Sequence, residues 1–94
     1  MPAIIVKHQV ADFDTWLKFF EGHAAVRRAA GATNSVVHQV EGHPNSVVVW
    51  IEVESLERAR EFMASPDLAQ TMQQGGVLEQ PSVQFLESVR HFPG

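Results

Sequence analysis

The sequence predicts an α+β sandwich in the order β-α-β-β-α-β, and three observations predict it. Short β-branched runs (AIIVKHQV, SVVHQVE and SVVVWIEVE) alternate with two amphipathic stretches. Each amphipathic stretch opens on a good helix cap, Asp12 or Ser55, and closes on glycine. A shift of 43 residues lays one half on the other: Val10-Ala11-Asp12-Phe13 on Val53-Glu54-Ser55-Leu56, and Phe19-Phe20 on Phe62-Met63.

Taken in order, Ala3 to Val10 reads as the first strand. Asp12 caps a helix running from Phe13 to Ala30, and Gly31 stops it. Ser35 to Glu41 and Ser46 to Glu54 read as two strands joined by the turn Gly42-His43-Pro44-Asn45. Ser55 caps a second helix, Leu56 to Ala64. Ser65-Pro66-Asp67 restarts it, with proline at the tolerated first position, and Gly75-Gly76 end it. A last strand spans about Val83 to Val89. Two strand-helix-strand halves of this kind make the split, ferredoxin-like sandwich, a four-stranded antiparallel sheet with its helices on one face. The 94 residues are expected to form one domain, residues 1–94.

Strand alternation assigns faces. Ile4, Val6, His8 and Val10 share one with Val47, Val49, Ile51 and Val53, the more apolar row and so the one the helices should cover. His8 interrupts it. A four-residue turn places His38 opposite Val49 on this same face, and a change of one residue sends it to the other. The remaining face carries Ile5, Val37, Val48 and Trp50 beside Lys7 and Glu52. Two helices cannot cover both faces, so a second copy packed sheet against sheet, a homodimer closing into an α+β barrel, is expected.

The first helix carries the chemistry. At about 100° per residue, Trp16, Phe20, His23 and Arg27 fall within roughly 60° of one another on the side that packs inward. A buried charge without a partner is costly, so the stripe points to a lined cavity facing His8. An imidazole titrates near neutrality and moves protons on carbon acids or hydroxyls. A guanidinium holds a carboxylate or steadies an enolate or phenolate. His8, His23 and Arg27 are therefore the catalytic candidates. Trp16, Phe20, Val49 and Ile51, with His38 if the turn allows, are the candidates for binding a small apolar or aromatic substrate. The competing reading is structural: Arg27 reaches the helix end to pair with an acid, and the histidines satisfy main-chain groups.

Other classes find little support. The net charge of −4 comes from interspersed charges without a basic stripe, so nucleic acid is not an expected partner. No apolar run approaches the length of a membrane span, and no secretory signal is visible. With no cysteine there are no disulfides or thiolate ligands, and the cytoplasm is the expected compartment. The histidines lie on separate elements without H-x-H or H-E-x-x-H spacing, so no metal is expected. No glycine-rich phosphate loop exists, so no nucleotide cofactor is expected either. His43 and His91 read as solvated, Trp50 with Glu52 as interface, and the Phe19-Phe20 and Phe62-Met63 pairs as core.

The run V-x-H-x-V-x-D-F-x-x-W from Val6 to Trp16, followed by Phe20, His23, Arg27 and Gly31, resembles small bacterial proteins of the dimeric α+β barrel superfamily. Pro44-Asn45, Ala59-Arg60 with Phe62, Ser65-Pro66, Gly76-Val77 and Pro81 extend the likeness over nearly the whole chain. That superfamily includes antibiotic-biosynthesis monooxygenases, polyketide and olivetolic acid cyclases, stress-responsive proteins, muconolactone isomerase-like proteins and haem-degrading monooxygenases. The resemblance implies a homodimer with a pocket in each subunit between sheet and helices, and a first-strand histidine lining it, where His8 stands. The chain departs from the cyclases, which use a tyrosine beside a second-helix histidine, because it has no tyrosine and no histidine there. Of the tyrosine, tryptophan and asparagine used by cofactor-free monooxygenases, Trp50 and a few asparagines remain. The haem-degrading pattern is not recognisable. The expectation is a cofactor-independent enzyme doing proton-transfer chemistry (cyclisation, isomerisation or lyase type, then oxygenation) on an aromatic or polyketide-like molecule. Its rival is a non-catalytic dimeric ligand-binding or stress-related module.

Overall fold

The computed structural model describes all residues, 1–94. Strands β1 (Ala3–Gln9), β2 (Ala32–Val40), β3 (His43–Val53) and β4 (Ser82–Leu86) form one antiparallel sheet in the order β2-β3-β1-β4. Four helices, α1 (Phe13–Gly22), α2 (Ala24–Ala29), α3 (Leu56–Met63) and α4 (Pro66–Gln74), fill the two helical segments. The chain therefore has the predicted ferredoxin-like α+β architecture. No helix is long and apolar enough to cross a membrane.

The two halves start their helices in the same way. The Asp12 carboxylate accepts the Thr15 N–H at 2.9 Å, and the Ser55 hydroxyl accepts the Arg58 N–H at 3.3 Å, each satisfying a free first-turn donor. The covered face is the anticipated row: Ile4, Val6, His8, Val10, Val47, Val49, Ile51 and Val53 are all buried. Trp16 and Ala59 complete the core from the helices, with Phe13, Leu17, Phe20, Leu56 and Met63 packed around it. Arg58 ties the halves together by donating to the Ala29 carbonyl at 2.6 Å and pairing with Glu54 at 3.3 Å. This caps the C-terminus of α2, where the carbonyls carry partial negative charge.

Two expectations need correction. The helix from Phe13 to Ala30 is not continuous. It breaks at His23, whose φ of −97° and ψ of 8° interrupt the helical path just after Gly22, a poor helix former. The β2–β3 connection is also tighter than expected. Glu41 and Gly42 alone make the turn, Gly42 at a φ of +80°, and Val40 already faces His43. Gln39 then pairs with Val47, so Pro44, Asn45 and Ser46 are extra residues opposite β2, while Ser46 still pairs with Gln9 of β1. The bulge acts as a clamp. The Asn45 carbonyl accepts the Val10 N–H at 2.9 Å, and its side-chain oxygen accepts the Phe13 N–H at 3.0 Å, holding the start of α1.

This register decides which way β2 faces. His38 pairs with Val48 and Val36 with Trp50, so both lie on the open face, while Val37 pairs with Val49 and packs on the core. The prediction had His38 and Val37 the other way round. The open face presents Ile5, Val36, His38, Val48 and Trp50, and no helix covers it.

Candidate functional site

A chain of ring contacts runs from the sheet to α2. The His8 imidazole meets Trp16 edge-on at 5.4 Å between centroids and 64° between planes. Trp16 stacks on Phe20 at 5.2 Å and 28°, and the Arg27 guanidinium lies 3.5 Å over the centre of the Phe20 ring. Contacts of these kinds each add of order 0.5–1.5 kcal/mol. The helical stripe read from the sequence is thus a continuous stack, with the break at His23 built into it. Phe20 lies three residues before the break, and its carbonyl accepts the Arg27 Nη1–H across it. Arg27 thereby repairs the interruption while staying half-buried.

Beside this stack lies an apolar cavity. Val6, Val49 and Ile51 of the sheet floor it, and Trp16, Phe20, His23 and Arg27 form one wall. Phe62 and Met63 of α3 and Leu68, Thr71 and Met72 of α4, with Gly75 beyond, form the other. About 60 Å³ of it admits the centre of a water-sized sphere, room for a few waters, so an aromatic ligand enters only if the wall gives. Met63 and Met72 are the adaptable side chains that can do so. Among the lining side chains only His8, His23, Arg27 and Thr71 are polar.

The electrostatics are lopsided. His8 is 6 % exposed, and its Nδ1 is buried with no hydrogen-bond partner. Burial pushes its pKa below the ordinary histidine value, opposed by a contact with its own main chain and by the charge of Glu79. His8 is therefore neutral at pH 7 and able to accept a proton. Arg27 has no carboxylate in ion-pair range, since the single ion pair of the chain joins Arg58 to Glu54. Burial, and next the neighbouring Arg28, lower its pKa, yet a guanidinium stays charged throughout the physiological range.

Of the residues singled out in the sequence, His8, Trp16, Phe20, His23, Arg27, Val49 and Ile51 all line this one cavity. The two imidazoles touch different rings, His8 meeting Trp16 and His23 stacking on Phe62 at 6.3 Å. His38 is excluded, exposed on the opposite sheet face because the two-residue turn and the bulge move its register by one. No group of three or more histidine, cysteine or acidic side chains converges. Sequence reasoning assigned Phe62-Met63 to the core and passed over the α4 wall. The signal was present: Leu68, Thr71, Met72 and Gly75 follow the i, i+3, i+4, i+7 spacing of one helix face.

No family model matches the chain, and no curated protein matches it. Solved structures do match its fold. SnoaB, a cofactor-independent oxygenase from Streptomyces nogalater, superposes with a TM-score of 0.77 at 12% identity, covering 99% of this chain and 97% of its own. A crystal structure of an antibiotic biosynthesis monooxygenase gives 0.72 at 12% identity, covering 96% and 100%. The ActVA-Orf6 monooxygenase of Streptomyces coelicolor, solved with nanaomycin D, gives 0.63 at 20% identity, covering 99% and 92%. The chain thus shares the ferredoxin-like α+β fold of the antibiotic biosynthesis monooxygenase structures.

Proposed function

We propose that the protein is a small-molecule enzyme working without a bound cofactor, as a single-domain homodimer in the cytoplasm, on an aromatic or polyketide-like substrate. His8 is the general base, with His23 on the facing wall as the second acid or base. In this reading the substrate's body lies among Trp16, Phe20, Val49 and Ile51. Its acidic C–H or O–H gives a proton to the neutral imidazole, and the electron pair stays behind as an enolate or phenolate. Arg27 steadies that anion. Cyclisation, isomerisation or lyase chemistry follows from such an anion, and so does cofactor-free oxygenation once dioxygen meets it.

One observation carries the reading: an unpartnered buried imidazole and an unpaired guanidinium share a cavity that is otherwise almost wholly apolar. A core built only for packing has no use for either. The fold shared with a cofactor-independent oxygenase supports the same class of function. The rival is a non-catalytic dimeric ligand-binding or stress-related module, favoured by the fact that Arg27 already engages the Phe20 ring and carbonyl. The exposed apolar face around Trp50 supports the homodimer.

The test uses hydroxylated two- and three-ring aromatics as ligands. A Trp50→Phe background leaves Trp16 as the only indole, so its emission reports binding. Deuterium exchange into each ligand reports proton abstraction. Binding with exchange that is lost in His8→Leu supports the enzyme. Binding with unaltered exchange in His8→Leu favours the module, and no binding at millimolar ligand overturns both.

A further inference from the structure

The segment after α4 is strapped to the end of β1. The Ala11 N–H donates to the Gly76 carbonyl at 2.9 Å, the Leu78 N–H donates to the Gln9 carbonyl at 3.0 Å, and Val10 bridges Val77 in antiparallel fashion. The chain bends at Glu79, one residue past Leu78, and Glu79 and His8 both line the cleft formed there. The β4 ladder proper is out of step with the strap, since Lys7 faces Ser82 and Val6 faces Val83. Gln80 and Pro81 take up the slack. The mismatch opens a polar cleft at the end of the sheet, lined by Lys7, Gln9, Ser46, Glu79 and Gln80. His8 is the one residue that lines both this cleft and the apolar cavity.

We propose that Glu79 is the positioning residue of His8, its carboxylate in the polar cleft steadying the imidazole that borders the apolar cavity. The proposal rests on His8 being the base. Burial alone opposes the imidazolium that forms when His8 takes a proton, and a base that cannot hold a proton is a poor one. Glu79 supplies the opposing pull without entering the cavity, and its charge acts on His8 in that sense. The strap holds the neighbouring Leu78 by a main-chain bond, and Glu79, next in the chain, lines the cleft. Glu79 is the only carboxylate that lines either the cleft or the cavity. Lys7, on the same strand, lines the same cleft, and Arg27 and His23 face the cavity from α2 and the α1–α2 junction. The β3 neighbours Ser46 and Val47 and the α4 wall residues Leu68, Thr71 and Met72 bring no charge.

The experiment is an NMR titration of the histidine side chains in the full-length protein, with no ligand present. Glu79→Gln moves the His8 midpoint down by about half a pH unit at low salt and leaves His23 in place, and the shift shrinks in strong salt. Glu79→Asp retains most of the wild-type midpoint, and Lys7→Gln moves it upward. Glu79 is exposed, so these variants keep their fold, checked by circular dichroism. An unmoved His8 midpoint in Glu79→Gln, or equal movement of every histidine, overturns the proposal. A His8 shift without binding of any aromatic ligand leaves the role of Glu79 standing and overturns the proposed function instead.

Discussion

Replacing His8 with leucine should make the protein more stable while removing its chemistry. The imidazole sits between buried Val6 and Val10 and pairs across the strands with buried Val47, so its place is an apolar one. Its unpartnered Nδ1 costs about 1–3 kcal/mol relative to an apolar group of similar shape. Losing the edge contact with Trp16 gives back about 0.5–1.5 kcal/mol. The balance is a gain of about 1 kcal/mol, which for a domain of this size raises the melting temperature by about 4–8 °C.

The pH dependence sharpens the test. His8 has a lower pKa in the folded chain than the 6.5 of an unperturbed histidine. The unfolded state therefore binds this proton more readily, and the wild type loses stability as pH falls below that value, until folded His8 protonates as well. The leucine variant lacks this slope, so its advantage widens on acidification. Calorimetry from about pH 8 down to about pH 5 reads both effects. A variant that melts lower than wild type at pH 8, with an unchanged pH slope, would show that the imidazole is held by interactions the cavity geometry does not contain.

Other perturbations read other parts of the architecture. Phe20→Ala removes both the partner of Trp16 and the platform of Arg27. Urea denaturation should show a loss of about 2–3 kcal/mol, and a loss under 1 kcal/mol contradicts the stack. Ser55→Ala removes the cap of α3 and should cost about 1 kcal/mol. Asp12→Ala destabilises in the same direction at neutral pH. There the Thr15 N–H, then its hydroxyl, holds the Asp12 carboxyl below the usual range, so the cap's contribution exists above that range and is lost as pH falls through the lowered value. Denaturation at neutral and strongly acid pH compares the two. Trp50→Lys places a charge on the uncovered sheet face, and sedimentation velocity should show the proposed dimer falling apart, whereas an unchanged sedimentation coefficient removes that face as the proposed interface.

Much of this molecule is legible in local chemistry. Asp12 and Ser55 announce both helix starts because a short polar side chain is the cheapest acceptor for free first-turn N–H groups. The row from Ile4 to Val10 declares its buried face through alternation, and a histidine inside such a row is visible without coordinates. The spacing of Trp16, Phe20, His23 and Arg27 survives even the break at His23, because one displaced residue leaves the first stack of rings intact.

Tertiary structure decided the rest, for a common reason. The face of His38 depends on whether the residues between Gln39 and Val47 shift the pairing by an odd or even number, and a bulge that clamps α1 through Asn45 sets that parity from afar. The α4 wall became a wall only when the fold set Leu68 and Met72 around the same cavity as Val6, some sixty positions earlier in the chain. Glu79 lines the same cleft as His8 because main-chain bonds from Gly76 to Leu78 lay the preceding segment along β1. Periodicity and caps are written within a few residues of where they act, whereas register and cross-chain neighbours are settled only when distant backbone groups find their partners.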